Sequence, residues 1–204
     1  MAATLGLWGA HTNLTADAAD PAEIAFHVID SLAPIAFATG DNRHALEDAL
    51  AEGATALDLG SGAGFPGLVL AAAFEARFTL SEARRKRASY LQVAAHQMEL
   101  RNVGVEPRRS TARTVVQGLY DLVTARAFGT SPELYEIAGA ALRPGGIFLL
   151  YATGDQSAGQ ADDSYAHATH FAPPASWTYE VPHGDRIATR MAVLWRKPPV
   201  SNDA

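Results

Sequence analysis

Residues 54–67 read ATALDLGSGAGFPG, and this stretch decides how the rest of the chain is interpreted. It starts as a short apolar run that carries a single acid, Asp58, and continues as a loop with glycines at 60, 62, 64 and 67. An alanine-rich segment with helical periodicity follows. This order predicts a strand, a glycine-rich turn and the start of a helix. Glycine is needed where the backbone takes a positive φ or where a ligand lies directly against main-chain atoms, so the loop indicates a bound small molecule.

Short apolar segments alternate with helical segments after this loop. Such alternation predicts a mostly parallel sheet with helices on both faces, that is, an α/β fold. The predicted strands are 54–59, 77–81, 103–106, 120–124 and 147–152, and the predicted helices are 67–75, 83–100, 111–117 and 132–142. A turn at 143–146 precedes the strand at 147–152, and a long loop covers 154–175. The strands predicted at 177–181 and 189–196 form a terminal antiparallel hairpin.

Two helices are predicted before the glycine loop. The first begins with a cap at Asp20, proline in the first helical position and Glu23 at capping-box spacing, and its apolar residues recur with helical periodicity. The second covers 44–52 and stops at Gly53. We expect one domain over residues 1–204, with an N-terminal helical cap at 1–52 and a core with its hairpin at 53–197.

The composition excludes several classes of protein. The chain has 204 residues, 48% hydrophobic and 19% charged, which fits one domain with a single core. It has no cysteine, which excludes disulfides and thiolate metal sites. His167 and His170 are close in sequence, but no helix that carries carboxylates is predicted near them, so we expect no metal. The start of the chain lacks a leader pattern and no apolar run could span a bilayer, so we expect a cytoplasmic protein without membrane contact.

The net charge of −6 conceals an uneven distribution. Residues 1–75 contain one basic residue, Arg43, against ten acids, whereas residues 77–126 contain ten basic residues against four acids, a local net charge of +6. One surface could therefore attract phosphate groups although the whole molecule is acidic. A solvated helix face is the alternative interpretation of these basic residues.

Two ligands fit the glycine loop. The glycines at 62, 64 and 67 match a dinucleotide fingerprint, and Glu82, twenty residues after the first of them, could accept ribose hydroxyls. Asp58, two residues before a G-x-G-x-G pattern, instead fits the class I methyltransferase pattern for S-adenosylmethionine. A carboxylate beside the loop would repel a pyrophosphate but attracts a sulfonium and an ammonium group. Asp58 therefore favours methyl transfer, although it could also brace the loop.

Longer motifs resemble one particular family. They are DLGSGAGFPG at 58–67, RRKRASYL at 84–91, YDLVTARA at 120–127 and LRPGGIF at 142–148, with LWGAHTNLTA at 7–16, FHVIDSL at 26–32 and TRMAVLWRK at 189–197 towards the two ends. Together they resemble the bacterial small-subunit ribosomal RNA guanine-N7 methyltransferases, the glucose-inhibited division protein B family. The resemblance implies a class I S-adenosylmethionine-dependent, Rossmann-like methyltransferase with a seven-strand-type sheet.

The resemblance also implies a function and a set of site residues. The implied reaction is methylation of guanine N7 in small-subunit ribosomal RNA, by a monomer acting on the RNA or the small subunit. Arg126 lies at the active centre as the catalytic and cofactor-contacting arginine, and Glu82 holds the ribose. The remaining cofactor residues are Asp58, Gly60, Ser61, Gly62, Gly64, Phe65, Ala112 and Arg113, and the RNA-binding residues are Lys86, Arg87 and Arg190.

Several positions depart from the family pattern. Phe26 replaces an arginine, Thr111 a common basic residue and Arg113 a glutamate, and the segment at Ala152 lacks a lysine. Two alternatives therefore stay open: a methyltransferase that acts on a small molecule or a protein, and a catalytically reduced protein that binds S-adenosylmethionine or RNA. His27 and Asp30 lie three residues apart on the first helix and could either brace the loop or touch substrate.

Overall fold

The computed structural model describes residues 20–126, 131–153 and 171–200, which contain five helices and seven strands. The helices are α1 (Pro21–Phe37), α2 (Gly40–Leu50), α3 (Gly67–Ala73), α4 (Arg85–Gln97) and α5 (Pro132–Ala141). The strands are β1 (Thr55–Leu59), β2 (Arg77–Ser81), β3 (Val103–Glu106), β4 (Tyr120–Arg126), β5 (Leu142–Thr153), β6 (Ala175–His183) and β7 (Arg186–Arg196).

The seven strands form one sheet in the order β3–β2–β1–β4–β5–β7–β6. Strands β1 to β5 pair in parallel, and β7 and β6 extend the sheet as an antiparallel hairpin, so the mostly parallel sheet and the terminal hairpin are confirmed. The strand order reverses between β1 and β4. Ligands of open parallel sheets bind at the carboxyl ends of the strands beside such a reversal. The ends of β1 and β4 therefore position the site.

Both faces of the sheet are covered, because successive side chains of a strand point to opposite faces. Ala56 of β1 lies in the core formed with α1 to α4. Its neighbour Leu57 lies in a second core formed with α5. In that second core the rings of Tyr135 and Trp195 meet edge to face with their centroids 5.2 Å apart. The prediction that helices cover both faces of the sheet is confirmed.

The helix predicted at 111–117 is wrong, because this segment forms a series of turns. The Thr111 amide donates to the Thr114 hydroxyl at 2.9 Å, and the Thr114 amide donates to the Thr111 hydroxyl at 3.2 Å. Such bonds between side chains and backbone compete with the helical pattern. The β-branched Val115 and Val116 that follow lower the helix propensity further.

Strand β5 begins earlier than predicted and includes the residues predicted as a turn, 143–146. The pairing register shifts here, because Tyr120 pairs with Leu142 whereas Leu122 pairs with Ile147. The Gly145 amide donates to the Lys197 carbonyl, and the Lys197 amide donates to the Gly146 carbonyl, both at 2.9 Å. The Arg-Pro-Gly-Gly segment is therefore a bulge that is held by the chain just after β7, and the prediction of a free turn is wrong.

Helix α1 begins where the capping signals predicted it, whereas α2 begins at Gly40 and ends at Leu50 instead of covering 44–52. The Asp20 side chain accepts a hydrogen bond from the Ala22 amide at 2.9 Å and caps α1. Helix α1 contacts β6, β7 and α3, whereas α2 contacts β1, β4 and β5. The division into a cap at 1–52 and a core at 53–197 stays a prediction, and residues 1–19 lie outside the described residues. Within the described part of the chain, no helix has the length and apolar character to cross a membrane.

Candidate active site

The glycine loop is tied to the end of β2 by its backbone. The amides of Gly60 and Ser61 both donate to the Ser81 carbonyl, at 2.9 and 3.0 Å, and the Gly64 amide donates to the Ser61 carbonyl at 2.7 Å. Gly62 takes a φ of 52°, which L side chains rarely adopt, and a Cβ atom there would meet only the Gly60 carbonyl, at 3.6 Å. The loop is therefore a closely folded main-chain surface with open space in front of Gly62, as the sequence predicted.

Asp58 lies beneath this loop, with an exposure of 1%. The Thr124 hydroxyl of β4 donates to its Oδ1 at 2.8 Å. Burial raises the pKa of Asp58 to about 6, and the Thr124 hydroxyl opposes this shift. Its Oδ2 has no hydrogen bond of normal geometry from the described residues, and a Cβ on Gly67 would lie 2.6 Å from it. The contacts of Asp58 are those of a brace between two strands and α3, and the predicted cofactor contact stays a prediction.

Glu82 follows β2 and joins the loop to the next helix. Its Oε2 accepts the Gly62 amide at 3.1 Å, and its Oε1 accepts the Arg84 amide at 2.8 Å. The residue is 6% exposed. Each carboxylate oxygen has two lone pairs, so both can accept a further hydrogen bond. Glu82 is therefore held rigidly beside the loop with acceptor capacity left for a hydroxyl group.

The segment with Ala112 and Arg113 lies at the same edge of the sheet. The hydroxyls of Ser81 and Ser110 are 2.5 Å apart, which brings this segment to the end of β2. Ala112 is half-buried and Arg113 is exposed. Phe65, the remaining predicted loop residue, is buried, and its ring centroid lies 5.0 Å from that of His27.

Arg126 ends β4 on the other side of the loop. The residue before it, Ala125, pairs with Leu59, so Arg126 is level with Gly60. Its Nη2 lies 3.1 Å from Asp30 Oδ2 and 2.6 Å from His27 Nδ1. Its Nη1 is buried and has no hydrogen-bond partner among the described residues. One amino group of the guanidinium is therefore fixed from α1, while the other is a free donor.

His27 is neutral in this arrangement. Burial and, to a smaller extent, the charge of Arg126 lower its pKa to about 4. Arginine can only donate, so Nδ1 accepts the bond from Arg126 and the imidazole proton is on Nε2. Nε2 lies 4.0 Å from the Glu23 carboxylate. His27 and Asp30 thus act as a brace: both hold Arg126, and the His27 ring also packs against Phe65 of the loop.

Arg190 of β7 reaches the same carboxylate. Its Nε lies 3.9 Å from Asp30 Oδ1, which also accepts the Tyr179 hydroxyl at 3.0 Å. The Arg190 guanidinium lies 5.1 Å from the centre of the Phe26 ring, which stacks on His183 at 4.2 Å. The departure at Phe26 is therefore a buried stacking residue. We call His27, Asp30, Arg126, Tyr179 and Arg190 the Arg126 cluster, and residues 58–67 with Glu82 the glycine-loop region.

Lys86 and Arg87 lie apart from that cluster, in the first turn of α4 just beyond Glu82. Lys86 is exposed and Arg87 is half-buried. The first turn of α4 contains no acid and the cap residue is Arg84. Basic residues at the positive end of a helix dipole are unfavourable, and the Glu82 carboxylate, which accepts the Arg84 amide, offsets part of this charge. The structure thus places two predicted RNA-binding residues here and the third, Arg190, beside Arg126.

Two residues of the site, Thr124 and Tyr179, and the packing role of Gly67 were not predicted from the sequence. Thr124 pairs with Asp58 across β1 and β4, so the pairing register of these two strands would have identified it as a partner of Asp58. Gly67 lets α3 approach β1 closely, because a Cβ there would lie 2.6 Å from Asp58 Oδ2. Its place at the start of α3 could have indicated this role. Tyr179 carried no signal, because it is an ordinary alternating residue of β6. The histidines at 167 and 170 lie outside the described residues.

Comparison with known proteins gives a family match over most of the chain. A family model described as GidB, rRNA small subunit methyltransferase G, matches residues 1–172. The ribosomal RNA small subunit methyltransferase G of Coxiella burnetii is 35% identical over 150 residues, which cover 72% of this chain and 66% of that protein. The protein of the same name from Acidiphilium cryptum is 40% identical over 154 residues, 73% of this chain and 64% of that protein. The chain thus spans about two thirds of the length of these curated relatives.

Solved structures agree on the fold. An S-adenosylmethionine-dependent O-methyltransferase from Thermotoga maritima aligns with a TM-score of 0.56 at 17% identity, over 84% of this chain and 71% of that one. At this identity the similarity concerns the fold alone. It confirms the predicted class I methyltransferase architecture, and the family match confirms the resemblance drawn from the motifs.

Proposed function

Because the chain belongs to the rRNA small subunit methyltransferase G family, we propose that it transfers a methyl group from S-adenosylmethionine to N7 of a guanine in small-subunit ribosomal RNA. The observation that carries this proposal is the family match over residues 1–172, because the fold alone fits many methyl acceptors.

The described residues fit S-adenosylmethionine in two respects. The glycine-loop region offers a main-chain surface with open space in front of Gly62. On the other side of the loop, Arg126 has a buried donor, Nη1, that a ligand can satisfy. Glu82 would hold the ribose hydroxyls, Ala112 and Arg113 would lie near the adenine, and Arg126 would face the methionine end. The other loop residues that would line the cofactor are Gly60, Ser61, Gly64 and Phe65, above the brace formed by Asp58.

The chemistry of this reaction asks little of the protein beyond positioning. When bound, S-adenosylmethionine supplies a methyl group on a sulfonium that a lone pair can attack. Guanine N7 has an in-plane lone pair and no proton to lose, so no general base is required. This agrees with His27, whose Nδ1 is occupied by Arg126 and is not available as a base. Correct orientation alone contributes about 7–11 kcal/mol in favourable systems.

The basic residues at the carboxyl edge of the sheet would bind the RNA backbone. Lys86 and Arg87 begin α4, where a phosphate would offset the unfavourable placement of positive charge at the helix start. Arg190 belongs to the Arg126 cluster, where its Nε lies 3.9 Å from Asp30 Oδ1, and would use its other donors to contact the RNA backbone. Phosphate contacts of this kind position an RNA without reading its sequence.

A methylation assay tests the proposal. The protein is incubated with methyl-labelled S-adenosylmethionine and small ribosomal subunits from a strain that lacks the family enzyme, and the labelled nucleotide is mapped. We expect label at guanine N7 and none with Gly62→Val, in which a side chain fills the space before the loop. With Lys86→Ala we expect a weaker reaction that depends less on salt, because one phosphate contact is lost. Absence of transfer under conditions where a family member works contradicts the proposed acceptor.

The same assay separates the alternatives. Tight binding of adenosylhomocysteine without transfer to RNA would indicate a methyltransferase with a small-molecule or protein acceptor, or a binding protein. Naked RNA and assembled subunits are compared as substrates. We also propose that the protein is a single domain with a helical cap at 1–52 and that it acts as a monomer in the cytoplasm. Light scattering, which measures the mass in solution, tests the monomeric state.

A further inference from the structure

Asp30 is a buried carboxylate that contacts the sheet from a helix packed against it. Asp30 is on α1, outside the sheet, and is 2% exposed. It reaches the carboxyl end of β4 and the hairpin through Arg126, Tyr179 and Arg190. A buried carboxylate is costly unless charges and donors surround it. One carboxylate therefore binds side chains from three strands, β4, β6 and β7, at the edge of the sheet where the proposed cofactor and substrate would meet.

Helix α1 offers two acceptors to the same nitrogen of Arg126. His27 and Asp30 are three residues apart, so they share a face of the helix. Both contact Nη2, the histidine through Nδ1 at 2.6 Å and the aspartate through Oδ2 at 3.1 Å. The guanidinium is planar, so fixing Nη2 restricts the direction of Nη1. Nη1 is the buried donor without a partner in the described part of the chain.

The strand that carries Arg126 ends beside the glycine loop. Arg126 is level with Gly60, and the His27 ring packs against Phe65 of the loop. A ligand carboxylate is the group that satisfies an arginine donor best, because the bond is charge-assisted and its geometry matches. The methionine part of S-adenosylmethionine carries such a carboxylate.

We propose that Asp30, with His27 as the second acceptor, is a positioning residue that directs Nη1 of Arg126 to the methionine carboxylate of the cofactor. This inference rests on the proposed function, because it takes S-adenosylmethionine as the ligand. Asp30 does not touch the cofactor but acts through Arg126. It also compensates the charge of two arginines, which would otherwise repel each other.

Calorimetry with two ligands tests the inference. Adenosylhomocysteine carries the methionine-derived carboxylate, whereas 5′-methylthioadenosine lacks the amino-acid part. We expect Asp30→Asn to raise the Kd of adenosylhomocysteine about tenfold, the cost of a disturbed charge-assisted bond, and to leave the Kd of methylthioadenosine within about twofold. Asp48→Asn on the exposed face of α2 is the matched control and should change neither. Equal weakening of both ligands by Asp30→Asn would overturn the inference.

A double-mutant cycle distinguishes positioning from general support. In an Arg126→Met background, Asp30→Asn should change the Kd of adenosylhomocysteine by less than about twofold, because Asp30 acts on the ligand only through Arg126. A merely structural role would persist in that background. A full tenfold loss there overturns the inference.

A second pair of variants avoids an unpaired buried charge if Asp30→Asn does not fold. His27→Leu removes the neutral acceptor and should weaken adenosylhomocysteine binding about threefold, whereas His27→Asn keeps an acceptor near the Nδ1 position and should restore it. Equal binding by these two variants would contradict the positioning role.

Tight wild-type binding with no RNA methylation would refute only the proposed acceptor, whereas no wild-type binding would refute both the proposed function and this inference.

Discussion

The glycine-loop region and the Arg126 cluster flank the same space but are built in opposite ways. In the glycine-loop region the glycines are held mostly by main-chain amides whose partners are at most about twenty residues away, the Ser81 and Ser61 carbonyls and the Glu82 carboxylate, and only Asp58 reaches further, to Thr124. The Arg126 cluster is held by side chains, with partners 99 residues apart for Arg126 and His27 and 149 apart for Tyr179 and Asp30.

In the proposed complex the two regions would recognise opposite ends of one ligand by different means. The glycine-loop region needs few side chains, so its shape depends on which residues lack a Cβ. The Arg126 cluster depends on charge balance and on the docking of α1 against the hairpin. Substitutions in the first region should therefore act through sterics and backbone conformation, and those in the second through electrostatics.

The largest expected effect is that of Gly67→Ala in the glycine-loop region. The added Cβ would lie 2.4 Å from Leu80 Cδ2 and 2.6 Å from Asp58 Oδ2, so α3 must shift away from β1. We expect a loss of about 3 kcal/mol in the free energy of unfolding, measured by urea denaturation. Gly104→Ala is the control, because its Cβ would be 4.0 Å from the nearest atom, the Phe78 carbonyl oxygen. Equal stability of the two variants would show that this region tolerates a Cβ.

Glu82→Gln tests whether the acid of the glycine-loop region holds both the loop and the ligand. A glutamine can accept only one of the two amides that the carboxylate accepts, and it loses the charge. We expect the Kd of adenosylhomocysteine to rise by about 30-fold, or about 2 kcal/mol. Glu106→Gln at the end of the neighbouring strand should stay within about twofold. A similar change in both variants would contradict the assignment of Glu82.

Gly62→Ala separates backbone strain from ligand space. The φ of 52° is unfavourable for alanine, and we expect a loss of stability of about 1 kcal/mol. Gly118→Ala has a similar φ of 64° with nothing within 4 Å, so it should lose a similar amount. Calorimetry should then show weaker adenosylhomocysteine binding in Gly62→Ala only. Weaker binding in both variants would mean that strain alone explains the effect.

The smallest expected effect concerns pH and the Arg126 cluster. Folding lowers the pKa of His27 from 6.5 to about 4, so the folded protein favours the neutral ring. Its contribution to stability is complete above pH 6.5 and is lost as the pH falls towards 4. Between pH 7 and pH 6 the wild type should lose less than about 1 kcal/mol through this group. His27→Asn should lack this loss, and the exposed His96→Asn should keep it. Identical pH profiles of unfolding for all three proteins would contradict a neutral His27.

The sequence predicted the regions that local patterns determine. The glycine loop, the end of β2 at Ser81 and the cap at Asp20 each depend on residues close together in the chain, and the structure contains all three. The helix predicted at 111–117 failed because Thr111 and Thr114 bond to the backbone, which apolar periodicity does not reveal.

The Arg126 cluster could be predicted only in part. The motif around Arg126 pointed to an active centre, and the spacing of His27 and Asp30 indicated a shared helix face. Their meeting with Arg126 depends on how α1 docks against β6 and β7, which no local pattern specifies. The bulge in β5 likewise depends on Lys197, more than fifty residues further along the chain.

A crystal structure with adenosylhomocysteine tests most directly the central claim that the two regions hold opposite ends of one ligand. We predict that Glu82 accepts hydrogen bonds from the ribose hydroxyls, while Nη1 of Arg126 donates to the methionine-derived carboxylate and Nη2 stays on Asp30 and His27. A carboxylate bound elsewhere, with Nη1 of Arg126 unengaged, would contradict the account.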